Sequence, residues 1–301
     1  MKKTVGFVVP GEWPQRPGCI KLSKTHTPVA DHQNIWRQTR VNNLYITVPA
    51  AVLPSLLLLW YFYSKDKYPE PPRVIFTTFF LGILTIIPVL CVALPMLYYV
   101  ANRLEDPYAY GIAMGCLSAG IPEEFFKFTV ILFYCMRHSE FDEPMDGLVY
   151  GVTASLGFAT LENVLYVSQG GLHMAIGRAL TAVPMHAAVG AIMGYYCGRA
   201  RFAPAHRGQL LFTAWFVPML LHSLYDIPLF VMMKRFGGGI SQTADGTPVF
   251  SNADAMFVLG CLGTVLLVLI ISLVMAVRLA RKLKNEQASY LGSTSTGEST
   301  F

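Results

Sequence analysis

The sequence predicts an all-α fold, a polytopic membrane helix bundle of about seven transmembrane helices, and three observations predict it. Of 301 residues, 53% are hydrophobic and only 14% are charged, against about 25% charged in a soluble domain. Mean hydropathy is +0.46. The runs Leu44–Tyr63, Val74–Ala101 and Ala255–Val277 hold 20, 28 and 23 residues without one Asp, Glu, Lys or Arg, and about 20 apolar residues span a bilayer as a helix. These features exclude a soluble enzyme, a nucleic-acid binder and a secreted disulfide scaffold. The lipid bilayer is the expected surrounding, and no nucleic-acid partner is expected.

Residues 1–43 are polar, rich in Pro and basic residues, and lack helical periodicity, so a disordered N-terminal tail is expected. The apolar run Val5–Val9 is too short for a cleavable signal peptide, which leaves the span at 44–63 as the expected insertion signal. Seven spans are predicted at 44–63, 74–100, 108–136, 148–168, 173–198, 209–233 and 255–280. They make one membrane domain over 44–280, with its polar core in 108–233. The loop Lys234–Asp254 contains Gly237-Gly238-Gly239 and reads as flexible. Residues 281–301 read as a basic stub and a Ser/Thr/Gly tail that does not pack. The six cysteines are scattered, with no CxxC pair, and read as small buried hydrophobes. Basic residues near the spans number 11 on the C-terminal side and 6 on the other, which by the positive-inside rule favours a cytoplasmic C-terminus in a multi-pass cell-membrane protein. Counting the whole N-terminal tail narrows this to 11 against 10.

Charge is distributed unevenly among the spans. The first, second and seventh carry none in their interiors. The third to sixth carry Glu123, Glu124 and Lys127; Glu162 beside Asn163; Arg178 and His186; and His222 and Asp226. A charge at mid-helix in a membrane costs about 2.5–3.5 kcal/mol on the translocon scale, so these groups are expected to converge on an interior, wet site. Spacing agrees. Glu123 and Lys127 lie four apart on one face, and so do His222 and Asp226, a pair suited to a carboxylate that orients an imidazole. Small residues Gly151, Ser155 and Ala159, and Ala182, Gly190 and Gly194, form ridges that allow close helix approach.

The four carboxylates and two cations leave a residual charge of −2. Shared protons would neutralise it, and so would a divalent cation on His and Glu ligands. Bland readings compete at each position: a structural Glu123–Lys127 ion pair, hydrogen-bond glue at Glu162-Asn163, and an Arg178 that snorkels to the membrane surface. A proton- or ion-coupled transporter uses the same residue types at mid-membrane, and a catalytically inactive membrane scaffold is the further alternative.

Four ordered motifs then carry a resemblance. Glu123-Glu124-Phe125-Phe126-Lys127 reads as EExxK. Asp146-Gly147-Leu148-Val149-Tyr150-Gly151 followed by Gly157-Phe158-Ala159-Thr160-Leu161-Glu162-Asn163-Val164-Leu165-Tyr166 reads as DGxxYG…GFAxxENxxY. His222-Ser223-Leu224-Tyr225-Asp226 reads as HxxYD. With the loop Asp66-Lys67-Tyr68-Pro69-Glu70-Pro71, the stretch 60–230 closely resembles the PrsW family of intramembrane proteases, which is more distantly related to the CAAX prenyl endopeptidases. The resemblance implies a membrane-embedded peptidase with Glu123 and Glu124 as its catalytic signature. It also implies a single-span membrane protein as substrate, of the kind represented by an anti-sigma factor cut at its first site in envelope stress signalling. The family has been described as both glutamic-type and metallo-type, so the resemblance leaves a Zn2+ cofactor open.

Amide hydrolysis needs an activated water, an oxyanion stabiliser and an acid for the leaving amine. On that basis one of Glu123 and Glu124 is expected to be the base and the other its partner, with Lys127 balancing their charge. His186 and His222, with one of the glutamates, are the expected metal ligands or carbonyl polarisers. Asp226 is expected to orient His222, and Asn163 to donate to the oxyanion.

Overall fold

Prolines and glycines decide where the helices of this chain start, bend and break. A computed structural model describes residues 29–66, 68–237 and 251–295. The chain divides into two compact units, 1–41 and 42–301. Of the first, the described residues from Val29 onward are helical, where a disordered tail was expected over 1–43; residues 1–28 lie outside the described residues. Apart from the start of α1, everything below belongs to the second unit.

The elements are α1 (Val29–Lys65), α2 (Pro72–Leu84), α3 (Ile86–Ala101), α4 (Pro107–Ala113), a π-helical segment (Met114–Gly120), α5 (Ile121–Phe133), α6 (Pro144–Leu180), α7 (Ala182–Phe202), α8 (Arg207–Phe236) and α9 (Asn252–Ser295). Among the described residues there is no strand, so the all-α expectation is met. Prolines open α2, α4 and α6 at their first turns, where the missing N–H costs nothing and the fixed φ suits a helix. Asp106 caps α4 by accepting from the Ala109 N–H at 2.7 Å. Asp146 Oδ2 accepts from the N–H groups of Asp142 and Glu143 at 2.9 and 2.8 Å and so ties down the start of α6.

Among the described residues, five stretches are long and apolar enough to cross a membrane: Tyr45–Ser64, Pro72–Ala101, Pro144–Phe202, Pro204–Phe236 and Asn252–Glu286. The expected spans 148–168 and 173–198 fall together in the 59-residue stretch Pro144–Phe202. The expected span 108–136 is divided among α4, the π-helical segment and α5. Length and composition therefore do not reach the expected count of seven. Large apolar side chains such as Trp60, Leu97 and Leu266 stand on the outside, which a lipid surrounding accounts for.

Helix α6 is the hub. Every residue from Asp146 to Thr160 is buried, and a helix covered on all sides belongs at the centre of a bundle. Its small residues bring α7 close: a Cβ on Gly151 would meet the Gly190 carbonyl oxygen at 2.2 Å, and one on Gly194 would meet that of Gly147 at 2.1 Å. On another side Gly157 approaches Phe79 and Gly82 approaches Ala154, docking α2. The α6–α7 ridges are thus in contact, as their spacing predicted.

Of the C-terminal tail expected over 281–301, residues 296–301 lie outside the described residues, and the rest is helical. Helix α9 runs to Ser295, well past 280, and it packs: Leu283 is buried, and Glu286 bonds Arg199 at 2.6 Å. No glycine or proline occurs from Arg278 to Leu291, so nothing interrupts the helix that the apolar span begins.

Candidate active site

The segment that carries the paired glutamates is shaped by its crossing with α8. Cβ atoms on Gly111, Gly115 and Gly120 would strike Val231, Ile227 and Ser223. The α8 partners are spaced four and four, whereas the glycines are spaced four and five. The extra residue is taken up by the π-helical segment Met114–Gly120, which keeps all three glycines on one face. Pro122 reinforces it, since its ring cannot accept a normal i−4 neighbour. π-Helical turns recur at functional sites, and Glu123 and Glu124 follow this one directly.

Four helices deliver the charged groups to one place. Lys127 Nζ donates to Glu124 Oε1 at 2.8 Å and to Glu123 Oε2 at 3.1 Å. It also lies 3.1 Å from His186 Nδ1 and 4.1 Å from the centroid of the Phe158 ring. His222 Nδ1 is 2.7 Å from Glu124 Oε1, and its Nε2 is 3.3 Å from Asp226 Oδ2 and 3.8 Å from Glu123 Oε2. His186 Nε2 is 2.9 Å from Glu162 Oε2. The two imidazoles meet edge to face with centroids 5.1 Å apart. Ser155 Oγ donates to the His186 carbonyl at 2.7 Å, fixing the backbone that presents the ring.

The structure thus brings together Glu123, Glu124, Lys127, Glu162, His186, His222 and Asp226. Asn163 is placed differently from the oxyanion role expected of it. Its Oδ1 accepts from Arg178 Nε at 2.5 Å and its Nδ2 donates to the Ala51 carbonyl at 3.3 Å, so both ends of the amide are engaged outside the cluster. Arg178 does not snorkel. Gly171, at φ 67°, breaks α6, and the helical turns after it fold back so that the guanidinium pairs with Glu162 and covers the Tyr166 ring at 4.2 Å. The positive φ suits glycine, and it sits where a connection between spans was expected.

Burial grades across the cluster. The side chains of Lys127, Glu124, His186 and His222 are 0–4% exposed, Glu123 is 9%, Glu162 and Arg178 are 14%, and Asp226 is 17%. The site therefore opens along the Glu162–Arg178–Asp226 edge. Glu162 stands 8 residues from Gly170 and 18 from Pro144, about 12 and 27 Å along the helix. His186 is 4 residues into α7. Both lie toward the end of the bundle that holds Gly171 and Thr181, while His222 lies at the middle of α8.

The donors also suit a metal. One ligand atom from each of Glu123, Glu124, His186 and His222 lies within 4.8 Å of the others, a nitrogen and oxygen set of the type that binds zinc. Glu124 Oε2 is buried with no hydrogen-bond partner, an acceptor left open in a place where that is costly.

Two quoted motifs had no assigned role in the sequence, and the structure joins them. Tyr150 of the DGxxYG motif donates its hydroxyl to Glu70 of the 66–71 loop, and the Tyr63 hydroxyl donates to the Glu70 carbonyl at 3.0 Å. Burial pushes the Glu70 carboxyl above its ordinary range, against the lowering effect of its hydrogen bonds to Tyr150 and Asp146. This knot sits at the Pro144 end of α6, remote from Glu162. It pins the loop to the hub helix. Its signal in the sequence was a lone acid between two prolines, Pro69 and Pro71.

Comparison with known proteins follows the same residues. Residues 70–244 match the family described as PrsW family intramembrane metalloprotease. Protease PrsW of Geobacillus kaustophilus is 40% identical over 195 residues, 64% of this chain and 84% of that protein. Protease PrsW of Bacillus subtilis is 39% identical over 188 residues, 62% and 84% of the two chains. Protease PrsW of Clostridioides difficile is 32% identical over 187 residues, 60% and 78%. No solved structure matches significantly. The matched stretch runs from Glu70 past Asp226 and takes in every member of the cluster, and with it the chain belongs to the PrsW family of membrane-embedded proteases.

Proposed function

We propose that this protease is an intramembrane endopeptidase that cuts a single-span membrane protein, such as an anti-sigma factor, in or near its transmembrane helix, and that it works with Zn2+. The observation that carries the proposal is the convergence of Glu123, Glu124, His186 and His222 within 4.8 Å in the bundle interior. Of these, His186, His222 and Glu124, whose buried Oε2 has no hydrogen-bond partner, would hold the metal, leaving Glu123 free. When bound, Zn2+ polarises a carbonyl and lowers the pKa of a bound water.

The chain's own residues supply the rest. Glu123 is the base: it is the more exposed of the pair and faces the open edge, so it can take a proton from the attacking water and return it to the leaving amine. Glu124 is held by Lys127 and His222 and sets the charge of the pair. Asp226 orients His222, and Glu162 with Ser155 orients His186. Arg178 holds Glu162 in place and Asn163 holds Arg178, so both are positioning residues. Lys127 and a divalent ion draw on the negative charge of the same glutamates and on His186 Nδ1, so the ammonium holds the site together when the ion is away. The C-terminus faces the cytoplasm, in keeping with the basic residues on that side.

A substrate helix must unwind to be cut here, because irregular backbone is tolerated at membrane depth only where protein shelters it. Helix-breaking residues near the scissile bond should therefore speed cleavage of a single-span substrate. Mapping the product termini tests this. A cut more than about 20 residues from the membrane boundary is incompatible with a site at this depth.

A further inference from the structure

We propose that the seam between α5 and α8 binds one anionic glycerophospholipid, with its phosphate at the turn between α7 and α8 and an acyl chain along the seam. This inference is independent of the catalytic reading. At that turn is a cavity of about 530 Å³ lined by Arg199, Ala203, His206, Gln209 and Thr213, within the range of about 300–1,000 Å³ usual for ligand sites. Phe212 lines it too, and also walls a second hollow of about 280 Å³ formed with Phe125, Phe128, Leu132, Leu211 and Trp215. The first hollow has a mixed lining, about half polar, and lies at the helix ends; the second is almost wholly apolar and runs along the helices. That division is the division of an amphiphile.

Charge favours an anion at the polar end. Arg199, Arg201 and Arg207 fall within nine residues that contain no acid. Arg201 spends its donors on the neutral carbonyls of Met136 and His138, so its charge stays uncompensated. Arg199 is bridged to Glu286 at 2.6 Å, with both side chains more than a third exposed. Helix α8 starts at Arg207 with no side chain capping its first turn, leaving N–H groups that suit a phosphate. Basic pockets between transmembrane helices are a known way to hold anionic head groups. Trp215 walls the apolar hollow and so reports directly on what fills it. A free phosphate gains nothing from that hollow, and a transmembrane helix, about 10–12 Å across, does not fit it.

The test uses the full chain in nanodiscs, with Trp13, Trp36 and Trp60 replaced by Phe so that Trp215 alone fluoresces. Brominated phosphatidylglycerol and brominated phosphatidylcholine are compared as quenchers at equal mole fraction. The expected preference for the anionic lipid is about fivefold for one cationic contact. Arg199→Gln with His206→Gln should return it to parity. Glu286→Gln, which frees Arg199, should raise it; if Arg199 served only the bridge to α9, Glu286→Gln would lower the preference as much as Arg199→Gln. Equal quenching by the two lipids overturns the proposal, and so does displacement of the anionic lipid by millimolar inorganic phosphate.

Discussion

Lys127 places its ammonium 3.1 Å from His186 Nδ1, across 59 residues of sequence. An ammonium only donates, so Nδ1 accepts and the ring proton sits on Nε2, directed at Glu162 Oε2 2.9 Å away. The same ammonium bonds Glu123 and Glu124. One cation thus holds three of the four residues of this cluster that are able to bind a metal.

Removing that cation should favour a metal. Lys127→Gln is expected to tighten Zn2+ binding by an order of magnitude or more, because it removes a competitor and its repulsion, while His186→Ala and His222→Ala weaken it. A chelator-buffered titration of the purified protein measures both. Zn2+ affinity that is unchanged or weaker in Lys127→Gln would mean that ammonium and metal do not share acceptors.

Arg178→Met leaves the buried charge of Glu162 with only the His186 N–H as partner and should cost about 3–5 kcal/mol of stability. Adding Glu162→Gln should recover most of the loss. Unfolding in mixed micelles measures the pair; a double variant as unstable as Arg178→Met alone would show that the two side chains are not coupled.

Gly151→Ala drives a methyl into the Gly190 carbonyl oxygen, 2.2 Å from the new Cβ. Pushing α6 from α7 should cost about 1–3 kcal/mol and lower activity, since the two helices carry Glu162 and His186. Gly177→Ala meets nothing within 4 Å and should leave both unchanged. Equal effects at the two positions would refute close packing as the cause.

Because burial raises the Glu70 carboxyl, the folded protein keeps this proton to a higher pH than the unfolded chain does. Stability from this group is therefore full below the ordinary carboxylate range and falls as pH rises through the raised value. Glu70→Gln keeps an acceptor for Tyr150 and should flatten that decline. Thermal unfolding from acid to neutral pH measures it, and an unchanged pH slope in the variant would contradict the sign.

The membrane class and the polar core were legible because charge inside an apolar run is costly and so stands out. Glu123, Glu124, Lys127, His186, His222 and Asp226 were readable on that ground, and the four ordered motifs specified the family. Other features depend on tertiary partners that spacing does not name. The π-helical turn becomes necessary only once Gly111, Gly115 and Gly120 are set against α8. Thr85 ends α2 through a hydroxyl bond to the Gly82 carbonyl at 2.7 Å, inside a run that reads as one continuous span. Arg178 looked like a residue near a span end, and only the break at Gly171 turns it back onto Glu162. Asn163 carried the right chemistry for an oxyanion donor, but its neighbours in space, Arg178 and Ala51, take up its amide.

The most direct measurement is cleavage of a single-span membrane substrate by the purified, reconstituted protein and by its Glu123→Gln and Glu124→Gln variants, each verified as folded and inserted. Removal of a general base costs about 10²–10⁴-fold in rate, so both variants should lose at least about 10²-fold while binding lipid and unfolding as the parent does. Near-normal turnover in both single variants would contradict a catalytic centre at this pair.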